Sequence, residues 1–351
     1  MKIHVPSLLR TKPKALDKLG KYSAQLGFKK IILFLGEGIE NLLGERIFQA
    51  LKDKNIEILQ THTIATSDVK LLFDLSLQIK DYSANAIVAV GGGKVIDCAK
   101  YVSSISKLPF LVVPTITSND GFCSPVASLN VDDKKKSFKT DLPKGVVIDT
   151  EIIKNAPKQF FFSGVGDLLS KYTSIFDWKL AYHHTGEYVD DFAVAISQNS
   201  LEAFVNYPNK DPQDLKLLTL FANSLLMSGI AMEVAGSSRP ASGSEHLISH
   251  SYDQISEKPL LHGIQVGIAS YASSFVQEKT HKLVKDSLVN TGLYDFIVNS
   301  GFRLNKHEFI ESIKKAPEIK KNFFTILSME NQTEKLIDFI NKDPMMNNML
   351  N

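Results

Sequence analysis

The chain is expected to be a two-part α/β protein, with a parallel sheet in residues 1–162 and an all-helical domain in residues 163–351. Three observations carry this. The 351 residues exceed one ordinary core, at about 150 residues per domain. In the first part, short wholly apolar runs alternate with helical stretches, the signature of strands buried on both faces and joined by crossover helices. Beyond about Gly164 strand signals nearly vanish and helical periodicity takes over, as in the stripe Phe221, Leu225, Leu226, Gly229 and Met232.

The elements follow in order. Ile31 to Leu35 is an apolar run that ends in Gly36-Glu37-Gly38, and a helix from about Glu40 to Lys52 follows, with Leu42, Leu43, Ile47 and Leu51 as its apolar positions. Asn55 to Gln60 reads as the next strand and Asp68 to Ser83 as the next helix. Ala86 to Val90 ends in Gly91-Gly92-Gly93, and a helix from about Val95 to Ser106 leads to the strand Phe110 to Val113. Ser128 to Val131 and Ser137 to Lys139 then pair as a hairpin with a charged tip, Asp132 to Lys136, best read as a solvated turn. Gly145 to Asp149 is a last strand, Pro157 to Ser163 crosses into the helical part, and the polar tail Asn341 to Asn351 is expected to fray.

Composition removes several classes of function. Lys+Arg 40 against Asp+Glu 38 gives a net charge of +2, so no nucleic-acid partner is expected. The longest apolar runs are five residues, as in Ile31–Leu35 and Ala86–Val90, against about 20 for a membrane span, so no membrane insertion is expected. The N-terminus lacks an apolar signal core. Two cysteines, Cys98 and Cys123, make no disulfide framework, and a reduced cytoplasmic protein fits best.

The chemistry concentrates in a few places. Gly91-Gly92-Gly93-Lys94 lies between a buried strand and a helix, where glycines admit a diphosphate and the helix start offers free N–H groups, a Rossmann-like arrangement. It is neither Gly-x-Gly-x-x-Gly nor a Walker sequence, and a plain tight turn is the alternative. The next strand ends in Pro114-Thr115-Ile116-Thr117-Ser118-Asn119-Asp120-Gly121, a second polar loop at the carboxyl end of a parallel strand. Glu37 is placed to accept from a ribose hydroxyl and to oppose a 2′-phosphate, which favours NAD over NADP. In the helical part His246 and His250 stand one turn apart and His262 follows, three of nine histidines within 17 positions. Two such imidazoles plus a carboxylate such as Asp167 suit Zn²⁺ or a similar divalent metal; ordinary hydrogen-bonded histidines are the alternative. Spacing alone pairs His246 with His250.

The stretches Gly91 to Asp97, Val113-Pro114-Thr115, Ser118-Asn119-Asp120-Gly121, Ser124-Pro125, Ser163 to Asp167, Gly236 to His246 and Leu261-His262-Gly263 together resemble the metal-dependent polyol dehydrogenases. These belong to the wider group of iron-containing alcohol dehydrogenases and dehydroquinate synthases, and the resemblance runs in order from about residue 30 to 270. It is strongest to the glycerol-1-phosphate dehydrogenases, with the glycerol dehydrogenases next. The resemblance implies the dehydroquinate synthase-like fold, a bound NAD or NADP, and one divalent metal, with Zn²⁺ favoured. It implies metal ligation by Asp167, His246 and His262, which overrides the His246–His250 pairing and leaves His250 facing the substrate. Gly92, Gly93 and Lys94 match positions that meet the cofactor diphosphate. Thr115, Ser118 and Ser124 match nicotinamide- and ribose-side positions, and Asp120 a substrate-facing carboxylate.

Two departures stand out. Asn119 occupies a position usually held by histidine in the glycerol-1-phosphate branch, and Ile264 one commonly acidic in the family. The activity implied is interconversion of glycerol 1-phosphate and dihydroxyacetone phosphate. Arg239, close to the metal motif in the chain, is one donor suited to a phosphate, with a structural ion pair as the alternative. Oxidation of plain glycerol is the runner-up, and a dehydroquinate synthase-like cyclase comes third. The expected partner is thus a small polyol or polyol phosphate, and nothing in the sequence opposes a homo-oligomer.

Overall fold

A computed structural model describes residues 4–132 and 134–351; Asp133, at the expected hairpin tip, and Met1 to Ile3, at the start of the segment judged not to be a signal, lie outside the described residues. Six parallel strands form the main sheet: β1 (Leu8–Lys12), β2 (Lys30–Gly36), β3 (Glu57–Ile64), β4 (Ala86–Gly91), β5 (Phe110–Pro114) and, after a hairpin, β8 (Gly145–Asp149). The hairpin strands are β6 (Val126–Val131) and β7 (Lys134–Lys139), paired antiparallel with Ser128 opposite Ser137. The expected tip is shorter than Asp132 to Lys136: Lys134, Lys135 and Lys136 are exposed but belong to β7, paired with Val131, Asn130 and Leu129.

The strand order is β1-β8-β5-β4-β2-β3. From β2 the chain goes outward to β3, then returns across β2 to β4 and continues to β5 on the other side. The order therefore reverses between β2 and β4, where Ile31 to Leu35 pair with Ala86 to Val90. At such a switch point the loops leaving the two carboxyl ends diverge and open a crevice. The loops here are Gly36-Glu37-Gly38 and Gly91-Gly92-Gly93. β2, β4 and β5 are buried along nearly their whole length because helices cover the sheet, among them Ile39–Lys52 and Gly93–Ser106.

The chain separates into two compact units. The first comprises Met1–Thr117, Gly121–Ala156 and Pro212–Glu233; the second comprises Ser118–Asp120, Pro157–Asp211 and Val234–Asn351. The division differs from a single break after residue 162 in three respects. Pro157 to Ser163, which opens the second unit's stretch Pro157–Asp211, is mostly the first half of a helix, Lys158–Leu169. Most of the helix Leu215–Ala235 groups with the sheet. Three residues of the loop after β5 group with the helical unit.

Three further differences have physical causes. β1 shows no apolar run, since only Leu8 of its five residues is buried; pairing with β8 makes it a strand. The helix Leu215–Ala235 is 21 residues long with a mean hydropathy of 1.6, so by length and composition one helix does match a membrane span. Two-thirds of that apolar stretch is buried within the fold, and Gly229 lets it approach the backbone so closely that a Cβ there would stand 2.3 Å from the Cys123 carbonyl oxygen. The tail does not fray: Pro344–Met349 is a helix capped by Asp343, Met346 and Met349 are fully buried, and Leu304 donates to the Met349 carbonyl and accepts from the Asn351 N–H.

Cys98 and Cys123 are buried free thiols, and burial, with Asp97 adding to it, pushes the Cys98 thiol up to about 12. Both thiols are therefore expected to resist a disulfide reagent at pH 8 in the native protein and to react on denaturation, as thiol titration would show. Asp149, fully buried at the end of β8, accepts from the N–H groups of Lys14, Leu16 and Glu151 at 3.0–3.2 Å and from Arg46 at 3.1 Å. Asp149→Ala strips all four donors at once and is expected to cost roughly 3–5 kcal/mol, measured as a lowered urea midpoint.

Candidate active site

In the first unit the switch-point loops carry Glu37, Gly92, Gly93 and Lys94, and the segment after β5 carries Thr115 and Ser124. Gly92 caps the helix Gly93–Ser106 with no side-chain hydrogen bond to its first turn, so the helix start keeps N–H groups to offer an anion. A Cβ at Gly93 would meet nothing within 4 Å, and one at Gly92 would meet only Ile116, at 3.0 Å. Bare backbone therefore faces open space beside Gly93. Lys94 Nζ reaches across to Glu37 Oε2 at 3.1 Å and the Ala65 carbonyl at 2.8 Å, joining the β2 and β4 loops. Thr115 is buried, its N–H donating to the Gly91 carbonyl at 3.0 Å. Ser124 points into a buried knot: its Oγ lies 3.2 Å from Lys100 Nζ, which also donates to the carbonyls of Gly121 and Val126. Ser118, by contrast, belongs to the second unit, where its carbonyl accepts from Ser163 Oγ at 2.9 Å.

The second unit gathers the remaining residues by a close helix crossing. A Cβ on Gly166 would lie 2.0 Å from the Gly263 carbonyl oxygen, and one on Gly263 would lie 1.8 Å from that of Ser163. Only glycine lets the helices Lys158–Leu169 and His262–Gln277 touch backbone to backbone. The neighbours of these glycines are Asp167 and His262. From the helix Ser244–Ile255, His246 completes the group: ligand atoms of Asp167, His246 and His262 all lie within 4.8 Å of one another.

Hydrogen bonding aims the lone pairs. Asp167 divides its carboxylate, with Oδ1 3.5 Å from His246 Nε2 and 3.9 Å from His262 Nε2, while Oδ2 accepts from the Asp120 N–H at 3.0 Å. His246 Nδ1 is held by Glu245 Oε1 at 2.8 Å, which leaves Nε2 for a ligand role. His262 Nδ1 meets Ser249 Oγ at 3.3 Å, and Ser249 donates onward to Gln265 Oε1 at 3.4 Å. Gln265 is in turn fixed by donating to Asp253 and to the Leu260 carbonyl. Ile264 is fully buried, so the side chain that holds His262 is Ser249. Orientation of ligating imidazoles through the far nitrogen is what metal sites use.

The electrostatics treat the three groups differently. Burial opposes ionisation of Asp167, but Lys171 and the two imidazoles outweigh it and hold the carboxylate below its ordinary range. Burial and the neighbouring His246 lower His262, so its lone pair is available. Burial also acts downward on His246, yet hydrogen bonds to Asp167 and Glu245 lift it to about 9. Lys171 is raised despite burial, because Asp120 and Asp167 flank it.

His250 is exposed, its ring stacked against His262 at 5.7 Å and 6.2 Å from His246; it stands beside the group and is not one of the three convergent donors. Asp120 is buried beside Asp167 with its Oδ2 3.1 Å from Lys171 Nζ. For Arg239 the structure favours the second of its two readings, the ion pair. The side chain is fully buried, forked onto Glu187, donating to the Phe324 carbonyl at 2.8 Å and stacked 3.6 Å from the Phe323 ring. Its donors are consumed within the fold, so it is a structural ion pair and not a phosphate anchor. Sequence reasoning missed Lys171, Glu245 and Ser249. A lysine four residues after the candidate ligand Asp167 and a carboxylate directly before His246 were the available signals.

The donor set of one carboxylate oxygen and two imidazole nitrogens suits a borderline divalent cation. His246→Ala and His262→Ala are expected to abolish stoichiometric Zn²⁺ uptake, and Glu245→Gln to weaken it about 10–100-fold. Equilibrium dialysis followed by metal analysis measures both, with circular dichroism as the check on folding.

Residues 10–157 match the family model for iron-containing alcohol dehydrogenase. The chain is 33% identical over 309 residues to glycerol-1-phosphate dehydrogenase [NAD(P)+] of Pyrococcus abyssi, covering 87% of each chain. It is 32% identical over 343 residues to the protein of the same name from Methanothermobacter thermautotrophicus, covering 97% of each. Among solved structures, a probable glycerol dehydrogenase from Sinorhizobium meliloti superposes with a TM-score of 0.76 at 17% identity, over 99% of this chain and 98% of that one. Glycerol dehydrogenase from Schizosaccharomyces pombe gives 0.77 at 18%, over 99% and 91%. At those identities the structures speak for the fold, and the sequence relatives speak for the family. The chain belongs to the iron-containing alcohol dehydrogenase family, within its glycerol-1-phosphate dehydrogenase branch.

Proposed function

We propose that the protein is an NAD(P)-dependent oxidoreductase that interconverts glycerol 1-phosphate and dihydroxyacetone phosphate. The observation that carries the chemistry is the convergence of Asp167 Oδ1, His246 Nε2 and His262 Nε2, each ligand side chain having its other polar atom already engaged. The phosphorylated substrate rests on the relatives, which are named glycerol-1-phosphate dehydrogenases over most of the chain.

When bound, a divalent cation supplies Lewis-acid polarisation of the substrate oxygen and the nicotinamide supplies the hydride acceptor or donor. The chain supplies the rest. Asp167, His246 and His262 hold the cation, and Zn²⁺ is the favoured one. Gly92, Gly93 and Lys94 bind the dinucleotide diphosphate on backbone N–H groups and one ammonium. Glu37 accepts from the adenosine ribose and, being negative, favours NAD. Asp120 orients the substrate hydroxyl next to the reacting carbon. His250, beside His262 and open to solvent, passes the hydroxyl proton outward from a ring nitrogen. Thr115 and Ser118 contribute to the dinucleotide's nicotinamide end; Ser124 acts indirectly, by bracing Lys100 and the loop around Gly121. A cytoplasmic location fits the two buried free thiols.

Plain glycerol is the competing substrate, favoured by one observation: Arg239, the basic residue of the Ser237-Ser238-Arg239 loop, spends its donors on Glu187 and Phe324. Comparing kcat/KM for dihydroxyacetone phosphate and dihydroxyacetone separates the two, with a preference of at least about 100-fold for the phosphate expected. A preference for the uncharged ketone assigns glycerol instead, and no net NADH oxidation with either ketone points to an internal redox cycle. Glu37→Arg is expected to move the ratio of kcat/KM for NADP over NAD upward by about tenfold or more, since it replaces a repelling carboxylate by a phosphate-binding guanidinium.

A further inference from the structure

We propose that Lys171 is a positioning residue that keeps the carboxylate of Asp120 off the cation held by Asp167, His246 and His262, and so preserves an open position for the substrate oxygen. The inference rests on the metal reading above and concerns what stops the site from closing on itself.

Asp120 stands beside the three-residue donor set. Its own N–H donates to Asp167 Oδ2 at 3.0 Å, so its backbone is tied directly to a ligand carboxylate. A buried aspartate next to a divalent cation is a strong donor, and a fourth protein ligand turns an open site of the catalytic kind into a closed structural one. Yet among the described residues the convergent donor set stops at three, without Asp120. Lys171 accounts for this. Its fully buried Nζ donates to Asp120 Oδ2 at 3.1 Å and to the Asp167 carbonyl at 2.8 Å, with Ser170 Oγ at 3.5 Å. The ammonium is thereby anchored on the segment that carries the ligand aspartate, and from there it grips the competing carboxylate. It also lies 3.6 Å from Asp167 Oδ2, the oxygen turned away from the imidazoles, so one cation fixes the orientation of both carboxylates. With Lys171 in place, Asp120 Oδ2 is held by the ammonium; without it, the bound cation competes for that carboxylate.

The test reads access to the cation directly. The full chain, stripped of metal and loaded with Co²⁺, is titrated with imidazole while the visible spectrum is followed. Imidazole is neutral, so loss of the Lys171 charge does not by itself weaken it. The wild type, Lys171→Arg and Asp120→Asn are expected to bind imidazole alike. Lys171→Met is expected to keep its Co²⁺ but bind imidazole at least about tenfold more weakly, and Lys171→Met/Asp120→Asn to recover wild-type binding. Wild-type imidazole binding in Lys171→Met, or a double variant that stays closed, overturns the proposal. Should Lys171→Met not fold, Asp120→Asn alone decides: an unchanged Co²⁺ spectrum before imidazole supports an excluded Asp120, and an altered one shows it was already a ligand. A wild-type chain that takes up no Co²⁺ instead defeats the metal reading itself.

Discussion

The carboxylate of Asp167 is the point on which the helical unit turns. One oxygen faces two imidazoles, and the other accepts from the Asp120 backbone beside the Lys171 ammonium. A buried carboxylate is costly unless its charge is compensated, and here every neighbour that compensates it also has a place in the site. The residue that must be stabilised therefore organises the residues around it. The glycine pair makes this possible. Gly166 and Gly263 bring two helices to backbone contact, and a crossing at ordinary side-chain distance would separate Asp167 from His262.

The imidazoles are treated unequally. His246 is held by a carboxylate, Glu245, while His262 is held by a hydroxyl that is itself held by an amide. The stronger acceptor makes His246 the more basic nitrogen donor, and the neutral chain through Ser249 and Gln265 orients His262 without adding charge.

In the sheet unit the governing constraint is topological. Reversal of strand order between β2 and β4 brings two glycine-bearing loops side by side, and the Glu37–Lys94 pair spans them. Such an exposed pair adds little stability; its interest is that it sets one negative and one positive group at the mouth of a dinucleotide-type crevice. Buried Lys100 braces the next loop from beneath, through Gly121, Ser124 and Val126.

Much of this was legible in the linear chain. Fully apolar runs such as Ala86–Val90 report burial on both faces, because a strand with one wet face would alternate, and the glycine triplet and polar loop at strand ends follow from the same geometry. The histidines and Asp167 were visible as residue types, and motif order tied them together where spacing alone would have chosen His250 over His262. Tertiary structure decided the rest. Whether Arg239 meets a ligand or Glu187 depends on a contact 52 residues away in the chain, which no local pattern encodes. The same holds for β1, which is a strand only because β8 lies beside it, and for the tail, ordered by Leu304. Lys171 shows the limit most clearly: a lysine in a helical stretch reads as a solvated charge until packing buries it between two carboxylates. Local sequence determines period, burial preference and chemical type; the partner of a buried charge is decided only when distant segments meet.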